Sequence, residues 1–384
     1  MSAQGQSWFQ VRATGEVAAT NAEARPEPSG LEVAVTVGLA LVLHILFVCR
    51  AANFWEVAFR SNDNQAYLHI AAIIRTWHPP GTVFPAFFWG FPYAIAGVST
   101  VLSLPPLAAL VLVSIVSSLA VSILVCRLYG GWVAVALYSF INYHLIFISV
   151  EGGSELPFMC LLFASLLAAR SERWNLAALL AALGTTVRPV GLIALVAFAL
   201  VLGMRRSYRR LAEITLIGLG IGLVYVIPVW IILGSPVANF TRYQDWWGPQ
   251  GRPLTFPFGA LIPSFIAFQG SRWPKIAESA IWLALALAGT AAMWLPRQRP
   301  RFPFNQPEIW FASIYTLFFL SYNYSEVYGD LPRFLMPITP LLLFSFRDWI
   351  PRDRRVLWPA VLLSALLASA AQVGFNNVFG FKLP

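Results

Sequence analysis

The run LEVAVTVGLALVLHILFVCR, residues 31–50, carries charge only near its edges, at Glu32 and Arg50. A stretch of ~20 apolar residues is what a helix needs to cross the hydrocarbon core of a bilayer. Similar runs recur near 105–126, 131–150, 155–169, 174–188, 190–204, 212–234, 279–295, 308–323, 334–347 and 356–374. In lipid every backbone N–H and C=O needs a partner within the protein, so segments of this kind form helices. The expected fold is therefore all-α, a polytopic transmembrane helical bundle of about eleven spans with surface helices in the first outer loop. The charge content agrees, at 11% of residues against about 25% in soluble domains. The short alternating strands of a membrane barrel are not seen.

The ends differ from the middle. Residues 1–30 are mostly polar and of mixed charge, with no cleavable hydrophobic core, and are expected to form a disordered cytoplasmic tail. Residues 31–376 form the transmembrane domain and 377–384 a short C-terminal tail. The net charge of +9 does not point to nucleic acid, because the arginines cluster between apolar runs, where topology accounts for them. Cys49, Cys126 and Cys160 sit in or beside apolar runs without metal-ligand spacing and read as small packed residues.

The arginines orient the chain. They fall at Arg127; at Arg170 and Arg173; at Arg205, Arg206, Arg209 and Arg210; at Arg297, Arg299 and Arg301; and at Arg347, Arg352, Arg354 and Arg355. Positive residues remain on the cytoplasmic side. With the N-terminus inside, all five groups fall inside provided that FPAFFWGFPYAIAGVST, 84–100, does not cross. Its Pro85 and Pro92 interrupt helical hydrogen bonding and its aromatics favour the interface, so it is expected to lie along the membrane surface or dip into it.

That map places the remaining polar groups on one outer face. Asp63, Tyr67 and His69 lie in SNDNQAYLHIAAIIRTWHPP within the first outer loop, 51–104. Glu151 and Glu155 lie in SVEGGSELP, Arg188 in TTVRPVG, and Glu326, Asp330 and Arg333 in SYNYSEVYGDLPRFLMPITP. A second outer loop, 235–278, is rich in aromatics, Gly and Pro.

Each candidate has a plain reading beside a functional one. Asp63 suits the N-cap of the helix NQAYLHIAAIIRTW. A carboxylate held among apolar groups can also act as a general base, and the two roles are compatible. Tyr67 stands one turn later on the same face. Glu151 and Glu155, four residues apart, suit helix starts through the dipole or contact a ligand, and Gly152 and Gly153 between them suggest a bend. Arg188 stands between two half-length apolar runs, where an arginine needs an acid, a lipid phosphate or water. It either snorkels or binds phosphate through its planar fork, and Arg333 has the same two readings. His44 and His144 read as packing residues. His69 and His78 occupy the first outer loop. Trp246 and Trp247 anchor at the interface or stack on a sugar. No HExxH, Walker, GxGxxG or GxSxG pattern occurs.

Four stretches, SNDNQAYLHIA, FPAFFWGFPYAIAG, SELPFMCLLFASLLAARSERWNLAALLAALGTTVRPVGLIAL and DLPRFLMPITPLLLF, carry a resemblance. In order and character the chain resembles the GT-C superfamily of integral membrane glycosyltransferases over most of 31–347. Within it, the chain looks like bacterial relatives of the dolichyl- or polyprenyl-phosphate-mannose-dependent transferases, including the PIG-V-like and ArnT-like enzymes. The resemblance implies a catalytic base on the first outer loop, the position held by Asp63. Asn62 and Asn64 flank it here in place of a second acid, so the pattern lacks a carboxylate pair for metal; dependence on a divalent ion, Mg or Mn, stays open.

The resemblance implies inverting transfer of a hexose, mannose being one candidate, from a polyprenyl-phosphate-linked donor to a hydroxyl of a lipid, glycan or protein on the outer face. Asp63 would take the proton, with Tyr67, His69, Glu151, Glu155, Arg188, Asp330 and Arg333 binding substrate. The other partners expected are membrane lipids, and not nucleic acid. The cell inner membrane is the expected location if the source is bacterial. A polytopic transporter or lipid-linked sugar flippase would also use buried charge and broken helices. A non-catalytic membrane subunit would fit an acid without a partner.

Overall fold

The computed structural model describes residues 28–50, 54–60, 63–76, 87–140, 142–242, 254–259, 273–295, 305–322, 331–347, 358–359 and 362–363. The N-terminal tail, His78, Trp246, Trp247, Glu326, Asp330, most of the expected span 356–374 and the C-terminal tail lie outside them, and the side chains of Glu151 and His144 are likewise outside the description.

Among the described residues the fold is all-helical, with no strand and an isolated bridge between Leu254 and Tyr322. The helices are α1 (Gly30–Arg50), α2 (Phe54–Arg60), α3 (Asn64–Thr76), α4 (Gly90–Val101), α5 (Pro106–Tyr129), α6 (Gly131–Phe140), α7 (Asn142–Glu151) and α8 (Glu155–Arg170). They continue with α9 (Trp174–Val187), α10 (Leu192–Met204), α11 (Tyr208–Leu233), α12 (Ala238–Arg242), α13 (Trp273–Trp294), α14 (Pro307–Ser321), α15 (Leu331–Leu335) and α16 (Thr339–Ser345). Three of them, α1, α5 and α11, are long and apolar enough to cross a membrane, which marks a membrane protein.

The other apolar elements are shorter than a standard span. The 16 residues of α8 rise about 24 Å, against ~30 Å of hydrocarbon. The run 131–150 is two helices of ten residues, α6 and α7. The run 334–347 likewise divides, into α15 and α16. In both places a continuous apolar pattern does not report the break, because burial on all sides needs no amphipathic period. Helix α4 has 12 residues, shorter than a standard span.

The core forms around α8, which packs on α5 and α9, while α9 packs on α11 and α3 on α4. Glycines allow the closest approaches. At Gly90 an added Cβ would stand 2.6 Å from the backbone carbon of Thr186, so α4 starts directly against the end of α9. Helix α11 differs from its neighbours. It exposes Leu216, Leu219, Leu223, Val224 and Ile231, the surface of a helix that meets lipid tails.

Arg170 has a packing role in addition to the topological one. It is paired with the fully buried Glu308 of α14, it donates from Nη1 to Leu128 O (2.7 Å), and it lies over the Tyr129 ring. The neighbouring turn is held by Glu172, which accepts from Arg205 (2.7 Å), Arg210 (3.0 Å) and Trp174 Nε1 (2.8 Å).

Candidate active site

At the end of the bundle opposite Arg170, two local breaks in the chain bring charge together. The first is Gly152-Gly153, between α7 and α8. Gly152 has φ +96°, which L-residues rarely adopt, and a Cβ there would stand 1.9 Å from Leu110 Cδ2. This turn separates Glu151 from Glu155: they end one helix and start the next, and so do not share a helical face. Glu155 opens α8 with its carboxylate against the positive end of the helix dipole.

The second break is at Arg188. Pro189 excludes the helical conformation for the residue before it, and Arg188 is extended (φ −142°, ψ 130°). Its N–H still donates to Gly184 O (2.9 Å), closing α9. Gly191 then turns the chain so tightly that a Cβ would meet Thr185 N at 2.6 Å. Arg188 therefore leaves the helix end sideways, toward α8.

There the charges converge on one oxygen. Glu155 Oε1 accepts from Arg188 Nη1 (2.6 Å) and from both Arg333 Nε (2.6 Å) and Arg333 Nη2 (2.6 Å). Glu155 is 3% exposed, while Arg188 and Arg333 keep about a fifth of their surface, at 20% and 18%. Glu155 Oε2 is buried without a hydrogen-bond partner among the described residues. Both guanidinium groups lie over the ring of Phe334, 5.8 and 5.9 Å from its centre. Tyr315 of α14 donates to Phe334 O (2.8 Å) and so fixes this platform.

Asp63 stands at the start of α3, its carbonyl accepting Tyr67 N–H at 3.0 Å, the backbone arrangement of an N-cap. Burial raises the pKa of its carboxyl; Arg333 opposes this, Glu155 adds to it and Arg188 opposes it. Asp63 thus shares one electrostatic environment with Arg333, Glu155 and Arg188. Tyr67 is buried, donates to Ser154 Oγ (3.0 Å), and packs edge-on against Phe87 (5.5 Å) and Phe91 (5.1 Å) of the aromatic segment. Burial raises its phenol pKa as well, and Asp63 adds to the rise. Phe87 is held in turn, its carbonyl accepting from Asn239 Nδ2 of α12 (2.8 Å), and Asn239 Oδ1 accepts from Tyr225 of α11 (3.0 Å).

Five of the expected site residues therefore meet: Asp63, Tyr67, Glu155, Arg188 and Arg333. His69 is part-buried on α3. Ser154, Tyr315 and Phe334 were not expected. Ser154 stands in the SELP motif and could have been noticed as an N-cap; Tyr315 lies within an apolar run and gives no sequence signal.

Among the described residues no three His, Cys, Asp or Glu side chains cluster. A scan against protein-family models matched none, and searches of curated proteins and of solved structures found no match.

Proposed function

We propose that the chain is a multi-pass membrane glycosyltransferase of about eleven spans, placed in the cell inner membrane if bacterial, that moves a hexose from a polyprenyl-phosphate donor to a hydroxyl acceptor with inversion. The observation that carries the reading is a base candidate beside a fixed pair of guanidinium groups, Arg188 and Arg333, both held by Glu155. A phosphodiester carries negative charge, and guanidinium forks match phosphate oxygens.

The chemistry follows from this placement. The acceptor oxygen forms a bond to the anomeric carbon from the face opposite the phosphate, and its proton passes to the Asp63 carboxylate. The bond between anomeric carbon and phosphate oxygen breaks, and polyprenyl phosphate departs with one more negative charge. Arg188 and Arg333 meet that charge where it develops, the arrangement that stabilises a transition state most. A carboxyl pKa raised by burial makes Asp63 a stronger base than an exposed aspartate. Phe87 and Phe91 are buried and pack edge-on against Tyr67, which fixes the phenol ring beside the site.

The test uses purified protein in liposomes with radiolabelled polyprenyl-phosphate sugars and no ion gradient. Wild type is expected to release label from the carrier, and Asp63→Asn to be slower by about 10²–10⁴-fold, the usual contribution of a general base. Full activity of Asp63→Asn would remove the base assignment. No turnover with any donor, together with movement of lipid or solute across the bilayer, would replace transfer by transport.

A further inference from the structure

Helix α8 begins against a local rule. Ser154 is at its N-cap, where a serine side chain ordinarily accepts from a free backbone N–H of the first turn. Here it makes no such bond. Glu155, next in line, has its carboxylate both at the helix start and on the two arginines. A serine at the N-cap that turns away from the first turn gives up its usual capping bond, and departures of this kind concentrate at functional sites.

The Ser154 hydroxyl is instead used twice. Its oxygen accepts from Tyr67 Oη at 3.0 Å and from Arg188 Nη1 at 3.2 Å. A hydroxyl oxygen has two acceptor positions, so both are filled. Ser154 is 2% exposed, so water does not compete for them. Among the described residues, the groups that act electrostatically on or with Asp63 are Arg333 on α15, Glu155 on α8, Arg188 after α9 and, on its own helix, Tyr67. Of these, the phenol of Tyr67 is the one neutral donor, and it stands four residues from Asp63 on one helix face. A phenol that donated to Asp63 would occupy the oxygen needed for the acceptor's proton and would favour the ionised, less basic carboxylate.

We infer that Ser154 is a positioning residue that draws the Tyr67 hydroxyl away from Asp63, keeping the carboxylate open to an incoming hydroxyl. The inference rests on the reading of Asp63 as the base, but its test does not depend on turnover. The full-length protein in lipid nanodiscs is titrated by infrared difference spectroscopy, with the Asp63 carboxyl band assigned by its loss in Asp63→Asn. Ser154→Ala frees the Tyr67 proton. The Asp63 midpoint is then expected to fall by about one pH unit, the scale of a hydrogen bond to a charged group. Ser154→Thr retains an oxygen and is expected to titrate like wild type. Ser154→Ala with Tyr67→Phe removes the competing donor and is expected to bring the midpoint back.

An unmoved midpoint in Ser154→Ala overturns the inference, as does a shift that Tyr67→Phe does not reverse, since that shift would come from loosened packing. Where transfer is measured as well, Ser154→Ala is expected to lower kcat more than it raises KM. Wild-type protein that titrates as described but transfers no sugar would leave the role of Ser154 standing and reject the transferase reading.

Discussion

Glu155 sets most of what single residues do at the site. Its Oε1 is the shared counter-charge of Arg188 and Arg333, and removing it leaves two guanidinium groups facing each other. Breaking a buried pair in this way costs about 3–5 kcal/mol. Glu155→Gln is therefore expected to melt well below wild type in detergent, whereas Arg188→Ala, which leaves the Arg333 pair, is expected to melt closer to wild type. The same Arg188→Ala protein is expected to bind polyprenyl phosphate about tenfold more weakly, the scale of one lost charge-assisted bond; unchanged affinity would remove Arg188 from phosphate binding. Asp63 acts on stability with the opposite sign. Burial raises its pKa in the folded protein, so the folded state holds its proton over a range where the unfolded chain has lost it. Stability is then full below the ordinary carboxylate range, near about 3.9, and is lost as pH rises through the folded value. Asp63→Asn is expected to raise Tm at pH 7 and to lose that advantage near pH 4. At this scale the sequence was informative about charged groups, since an arginine beside Pro189 or an acid after an apolar run needs an explanation. It was silent about Tyr315 and Phe334, whose roles arise from contacts between distant elements.

At the scale of elements, breaks in the helices place the groups rather than the helices themselves. The turn at Gly152 and Gly153 aims Glu155, and the sequence Arg-Pro-Val-Gly aims Arg188. Gly152 is the more demanding position, because its φ of +96° and the 1.9 Å approach of Leu110 Cδ2 act together. Gly152→Ala is expected to destabilise the protein and to abolish transfer at temperatures where it remains folded, since moving the turn moves Glu155. Gly203 offers a comparison in an apolar helix: nothing lies within 4 Å of an added Cβ there. Gly203→Ala is expected to be neutral or slightly stabilising, as helix propensity requires, and thermal melting of the two variants separates conformation from simple glycine loss. Both breaks were legible in part, because Gly-Gly and Arg-Pro-x-Gly are punctuation in any sequence. The divisions between α6 and α7 and between α15 and α16 were not. Residues packed on every side stay apolar whichever way the chain turns.

Across the whole molecule, α8 connects two ion pairs. Glu155 meets Arg333 at one end, and Arg170 meets Glu308 of α14 at the other, fifteen residues and about 22 Å along the helix. The two ends differ in surroundings. The Arg170 end carries a basic turn with Arg205, Arg209 and Arg210 on and around Glu172 and Glu213, while the Glu155 end gathers Asp63 and the aromatic segment. By the rule that positive residues stay inside, this asymmetry predicts an orientation: the candidate site is expected to face outward. Two exposed positions test it, Gln65 on α3 near the site and Ser171 in the basic turn. With Cys49, Cys126 and Cys160 replaced, Gln65→Cys is expected to react in sealed right-side-out vesicles with a maleimide that cannot cross the bilayer, and Ser171→Cys only after the vesicles are opened. The reverse pattern would place Asp63 and its arginines on the cytoplasmic side. Labelling of both from outside would mean that an odd number of crossings separating residues 65 and 171 is wrong, and with it the surface assignment of the segment 84–100.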